Sequence, residues 1–221
     1  MEVKELIEML AKESGNTLYM TLVSTALAYL IGIPLGIALV TTAKDGLTTE
    51  LYINKCLNFI TNIVRSIPFL ILLIAIIPFT KLVAGKSYGP TATVVPLVVA
   101  AIPFIARMVE ASILEVDAGV VEAAQSMGAS PMQIIYKVLL PEAKTSLING
   151  ATIALATILG YSAMAGAVAG GGLGDVAIRY GYYRYQTDIM IITVVLLIIY
   201  VQILQGIGTR IARATDKRIR E

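Results

Sequence analysis

Side chains able to do chemistry are few and scattered in this 221-residue chain. There is no histidine, which removes the commonest metal ligand and a common general base. A single cysteine, Cys56, excludes a disulfide framework within the chain. Gly85-Lys86-Ser87 has the end of a phosphate-binding loop without its start. The glycine needed five positions earlier is Thr80, and no strand precedes it. Gly170-Gly-Gly-Leu-Gly-Asp175 matches no dinucleotide fingerprint; it reads as a flexible or close-packed turn. Glu110, Glu115 and Asp117 could form a cation site or proton relay. Arg107, however, lies three residues from Glu110 on one helical face, so a local ion pair is expected. No nucleophile–base pair or metal cluster supports an enzyme.

One polar stretch, Glu122 to Pro141, has its own helix punctuation. Ser130-Pro131 is a start signal, because serine caps free N–H groups and proline is preset for the first turn. Gly128 permits a sharp turn just before it. Leu140-Pro141 is expected to end the pattern, since proline disfavours helix in the residue before it.

The elements that must hold this stretch are apolar. Of the residues, 57% are hydrophobic and 14% charged, against roughly 25% charged in ordinary globular domains. An all-α integral membrane protein follows. Five runs reach the length of about 20 residues that a bilayer requires: 17–42, 57–79, 90–109, 147–169 and 189–207. Lipid offers the backbone no partners, so these must be helices. Five crossings put the termini on opposite sides. A cytoplasmic C-terminus leaves Lys44, Lys55, Arg65, Arg107, Lys137, Lys144, Arg210, Arg213, Lys217, Arg218 and Arg220 inside. Only Lys4, Lys12, Lys81, Lys86, Arg179 and Arg184 are then outside. The positive-inside rule therefore selects N-out, C-in, with the polar stretch in the cytoplasm and the tail 209–220 anchored near anionic lipid. No acid then sits mid-span, where an ion-coupled carrier would need one.

Residues 1–16 carry six charges and lack the pattern of a signal peptide. Val3, Leu6, Ile7 and Leu10 recur at helical spacing, as in an amphipathic helix on the membrane surface. Residues 17–221 read as one domain without internal repeats. Pro34, Pro68, Pro78, Pro96 and Pro103 fall inside the expected spans and predict kinks. Gly32-x-x-x-Gly36 and Gly166-x-x-x-Gly170 offer small faces for close helix approach. The tyrosines of 180–185 are expected in the interfacial belt of a chain without tryptophan.

With these residues in place, the polar stretch resembles the signature of bacterial ABC importer permeases: Glu-Ala-Ala, three residues, Gly, nine residues, Ile-x-Leu-Pro. Glu122-Ala123-Ala124, Gly128 and Leu140-Pro141 match it, and Val138 stands at the isoleucine position. Arg65-Ser-Ile-Pro-Phe69, Pro103-Phe-Ile-Ala-Arg-Met-Val-Glu110, Met127-Gly-Ala-Ser-Pro-Met-Gln133 and Gly160-Tyr-Ser-Ala-Met-Ala-Gly166 are similar to the methionine-importer permeases in particular.

The resemblance implies a type I importer fold in the bacterial inner membrane and a homodimer around one translocation path. It implies two separate ATPase subunits that bind ATP and magnesium, and an extracytoplasmic binding lipoprotein that delivers methionine. No cofactor in this chain, no enzymatic activity and no nucleic-acid partner are expected. Residues 130–138 would form a coupling helix between spans three and four. Its ATPase-coupling residues would be Glu122, Ala123, Ala124, Gly128, Ala129, Ser130, Pro131, Met132, Leu140 and Pro141. Gly128 to Met132 would meet the partner, with Glu122 bracing the loop from within. Tyr161, Ser162 and Met164 would line the path or gate, Met164 as a flexible apolar plug. Two alternatives stay open: a permease for another small solute, and an ion-coupled carrier acting alone.

Overall fold

The computed structural model describes residues 3–216; Met1, Glu2, Lys217, Arg218 and Arg220 lie outside them. Every regular element among the described residues is helical. The chain order is α1 (Val3–Thr41), α2 (Leu51–Ser66), α3 (Phe69–Ala75), α4 (Ile77–Ala84), α5 (Pro90–Leu114), α6 (Ala118–Ser126), α7 (Pro131–Ile134), α8 (Leu140–Glu142), α9 (Lys144–Ala165), α10 (Gly172–Val176) and α11 (Thr187–Thr215).

Four helical stretches are long and apolar enough to cross a membrane: Lys4–Thr41, Pro90–Leu114, Lys144–Tyr182 and Thr187–Thr215. The expected second span, 57–79, is not one helix. Helices α2 and α3 meet at a 101° bend and reach span length only together. The cause is Pro68, which lacks an N–H and disfavours helix at Ile67 before it. Pro68 is the N-cap of α3, and Pro78 lies in the first turn of α4. Pro34, Pro96 and Pro103 do sit inside helices.

The expected surface segment and first span form one uninterrupted helix, α1, of 39 residues. Its length of about 58 Å, at 1.5 Å per residue, exceeds the roughly 30 Å hydrocarbon core. Asn16 and Thr17 do not break it, because their side chains bond back to the Glu13 carboxylate and carbonyl at 3.0 Å each.

The chain groups into two compact units. The first comprises Met1–Ala28, Ile67–Ala101 and Ala154–Gln205. Its core includes Met20, Leu97, Ile158, Leu159, Leu173 and Val176, all buried. The Gly170–Asp175 stretch is a close-packed turn: Gly172 through Val176 are all buried. Thr93 donates from Oγ1 to the Gly170 carbonyl at 3.2 Å.

The second unit comprises Tyr29–Ser66, Ile102–Ile153 and Gly206–Glu221. Here Gly32 and Gly36 bring α1 against α5. A Cβ on either would lie 2.6 Å from a side-chain atom of Ile105 or Val109. Polar groups tie α2 to both of these helices. Arg107 pairs with Glu110 at 2.6 Å, as its spacing predicts, and also donates to Asn58 and Asn62 at 2.7 and 2.8 Å. Asn54 donates to the Leu39 carbonyl at 2.7 Å, joining α2 to the end of α1.

Candidate functional site

Within the second unit, the polar stretch is built from standard terminators. Asp117 caps α6 by accepting from the Gly119 N–H at 2.8 Å. After Ser126 the chain turns through Gly128 at φ +79°. The Gly128 N–H bonds to the Gln125 carbonyl at 2.9 Å and the Ala129 N–H to Ala124 at 3.1 Å. This pair of bonds is a Schellman closure, which requires the left-handed conformation at position 128. Ser130 then opens α7 with a reciprocal capping box. Its Oγ accepts from the Gln133 N–H at 3.4 Å, while Gln133 Oε1 accepts from the Ser130 N–H at 2.8 Å.

The expectation that Leu140-Pro141 ends the helix is corrected. A π-turn at Ile135–Leu139 links α7 to α8, and the Leu140 N–H reaches back to the Ile135 carbonyl. The wider turn gives room for Pro141, which can neither donate to the carbonyl four residues earlier nor avoid its bulk. The polypeptide stays helical because Ile134, Ile135, Leu139 and Ala143 are buried on the inner side. On the outer side Met132 is 60% and Tyr136 63% exposed, one helical turn apart. Met127 is still more exposed.

The predicted coupling residues therefore divide. Gly128, Ser130, Pro131, Met132 and Pro141 are exposed, Ala129 and Leu140 are half-buried, and Ala124 is buried. Glu122 and Ala123 are exposed too. The role given to Glu122 as an internal brace is corrected: its carboxylate has no hydrogen bond or ion pair among the described residues. The brace is apolar, since Ala124 faces inward and residue 122, two positions away, faces out. Met127 and Tyr136 are missing from the sequence reading, although both lie within the stretch that carried the resemblance. What marks them is the contrast between an apolar side chain and an exposed place on a polar loop.

Beside this segment, in the same unit, opens a cleft of about 500 Å³ lined by Glu115, Asp117, Glu142, Lys144 and Asn149 among others. Glu110 is taken up by Arg107. No group of three metal-ligating side chains occurs among the described residues.

The residues expected to line the path lie in the first unit. Tyr161 stacks on Phe69, with centroids 4.6 Å apart and planes 5° from parallel. Phe69 is the first residue of α3, directly after the Pro68 bend. Its part at this site went unread, though the Arg65–Phe69 motif contains it. Ser162 is 1% exposed and donates to the Leu159 carbonyl at 2.7 Å, so its hydroxyl is spent on its own helix. Met164 is 52% exposed. With Gly160 and Ala167 it forms an open face at helical spacing on α9 and the turn that follows.

The family model described as "Binding-protein-dependent transport system inner membrane component" matches residues 32–221. A probable D-methionine transport system permease protein, MetI, of Vibrio cholerae is 54% identical over 211 residues, 96% of this chain and 94% of that protein. The Escherichia coli K12 D-methionine transport system permease protein MetI is 49% identical over 158 residues, 72% of this chain and 73% of that one. A solved structure of the MetNI methionine ABC transporter in an inward-facing conformation superposes with a TM-score of 0.96 at 46% identity. It covers 98% of this chain and all of the matched one. An amino acid ABC transporter at 21% identity, TM-score 0.73, shares the fold. The helices thus form the type I ABC importer permease fold, and the chain belongs to the family of binding-protein-dependent transport system inner membrane components.

Proposed function

We propose that the chain is the permease subunit of an ATP-driven importer of methionine in the bacterial inner membrane. Two copies form the translocation path, two separate ATPase subunits supply the energy, and an extracytoplasmic binding lipoprotein delivers the substrate. The orientation is N-out, C-in. Residues 17–221 act as one permease domain, with 1–16 as its N-terminal segment. The observation that carries the reading is the match along 98% of the chain, at a TM-score of 0.96, to a methionine transporter.

The coupling role of residues 122–141 rests on their build. Buried Ile134, Ile135 and Leu139 tie the segment to its own unit, while Met127, Met132 and Tyr136 are left for a partner. Aromatic and methionine side chains are enriched in interfaces. ATP draws the ATPase subunits together, the coupling segments follow, and the path opens outward; hydrolysis resets it. Nucleotide shifts this equilibrium only by favouring one arrangement over the other. Met164, on the open face of α9, closes the path against its counterpart in the second copy. Tyr161 is held in place by its stack on Phe69.

The test is to isolate the chain with its ATPase, reconstitute both with the binding protein in liposomes, and measure uptake of labelled methionine. Uptake should require ATP and both partners. Uptake by the chain alone, without ATP, would establish an ion-coupled carrier. ATP-dependent uptake of another solute, with none of methionine, would overturn the substrate.

A further inference from the structure

Helix α1 is longer than crossing requires. Residues 17–41 already exceed the approximately 20 that a span needs, and the family model begins only at residue 32. Yet the turn from Glu13 to Thr17 carries two long-range contacts within the first unit. Glu13 Oε2 accepts from the Gly172 N–H at 2.8 Å. Thr17 Oγ1 accepts from the Leu173 N–H at 2.8 Å. Both acceptors are aimed by their own neighbours. Asn16 Nδ2 donates to the same Glu13 oxygen at 3.0 Å. The Thr17 hydroxyl gives its proton to the Glu13 carbonyl at 3.0 Å, which leaves its oxygen free to accept.

The turn these groups grip is fitted on every side. Gly172 sits at φ +77°, and a Cβ there would meet Thr17 Oγ1 at 2.7 Å. Gly174 lies against Ala163, and Gly166 against Gly174 and Asp175, with no room for a Cβ at either. Ala163 and Gly166 flank Met164 and Ala165 in sequence. The gripped turn is therefore packed directly on the part of α9 that carries the gate methionine.

We propose that Glu13 and Thr17 are positioning residues for the gate. They hold the Gly170–Asp175 turn against the end of α9, and the turn sets where Met164 stands. The inference deepens the gate reading above and rests on it. It gives the N-terminal segment a part in the transport cycle. A carboxylate accepting a backbone N–H makes a charge-assisted bond, stronger than the neutral one made by Thr17. Releasing the turn leaves Met164 without a defined closed position, so ATP is consumed with less methionine moved.

The experiment uses the full complex with its ATPase and binding protein in liposomes. Glu13→Ala should lower methionine moved per ATP about ten-fold, the worth of a charge-assisted bond, and Thr17→Val about five-fold. Glu13→Gln, which keeps an acceptor oxygen, should lie between, and Thr17→Ser should match the parent. In a Cys56→Ser, Met164→Cys background, cross-linking between the two copies should occur in one nucleotide state. Adding Thr17→Val should spread it over both. A loss of uptake matched by an equal loss of ATP hydrolysis would mean that the contacts serve folding alone, and would overturn the proposal. A parent that cross-links as expected, with clamp variants that behave identically, would remove the clamp and leave the gate. A parent that cross-links in no nucleotide state would overturn the gate reading and the clamp with it.

Discussion

Gly128 holds φ at +79°, and no atom beyond the residue and its chain neighbours lies within 4 Å of where its Cβ would be built. An alanine there meets no clash, only the left-handed backbone penalty of about 1–2 kcal/mol. A β-branched residue adds its own restriction. Gly128→Ala should therefore reduce uptake and Gly128→Val abolish it, with both permeases still present in the membrane in folded form. Normal uptake by Gly128→Val would count against coupling through this turn. The stack of Tyr161 on Phe69 permits a sharper measurement. A double-mutant cycle with leucine at each position, followed by thermal unfolding in detergent, should return a coupling of about 0.5–1.5 kcal/mol. Additive losses would mean that the parallel rings contribute no pairwise energy. Of these two features, the turn at Gly128 was legible from residue type and place. The stack was not, because two aromatics 92 positions apart carry no mark of each other in a string of letters.

At the scale of the element, the segment 122–141 combines a readable start with an unreadable middle. Ser130, Pro131 and Gln133 spell the capping box in sequence. Replacing Ser130 by alanine should cost about 1 kcal/mol of helix-start stability, and weaken capture of the ATPase; Ser130→Asp should preserve both. Met132→Asp and Tyr136→Asp act differently. At exposed positions they should move the permease's thermal stability by no more than about 0.5 kcal/mol, while ATPase co-purification is lost. Co-purification at the parental level would place the ATPase contact elsewhere. The π-turn and the helix that runs past Pro141 are set by burial of Leu139 and Ala143 on one side. Local preference alone stops the helix at Leu140; packing outweighs it by giving the proline a wider turn rather than a terminus. The bend at Pro68 obeys local preference instead, since the residue before proline leaves the helix and nothing restores it.

For the whole molecule, orientation is the open quantity with the simplest measurement. In a Cys56→Ser background, a cysteine at Tyr185 should react with a membrane-impermeant maleimide supplied from outside the inner membrane. One at Met132 should react only after the membrane is broken. The opposite pattern would reverse the topology drawn from eleven basic residues against six. Both positions are exposed in the chain itself, and labelling in cells that lack the ATPase keeps Met132 uncovered, so membrane access decides the outcome.

Composition alone determined that this is a helical membrane protein, since uniformly apolar runs of this length have no other way to satisfy their backbone in lipid. Residue spacing located the polar loop, its turn and its cap, because those depend on neighbours within a few positions. Tertiary structure decided which faces meet: Gly36 on Val109, Phe69 on Tyr161, and Glu13 and Thr17 on the turn at 172–173. Between helices in lipid there is little hydrophobic difference to read. Fit between small residues and a few hydrogen bonds select the partners, and neither exists until both surfaces are present. The N-terminal segment is the clearest case. Its sequence showed a charged amphipathic helix, and only the fold showed what the thirteenth residue holds.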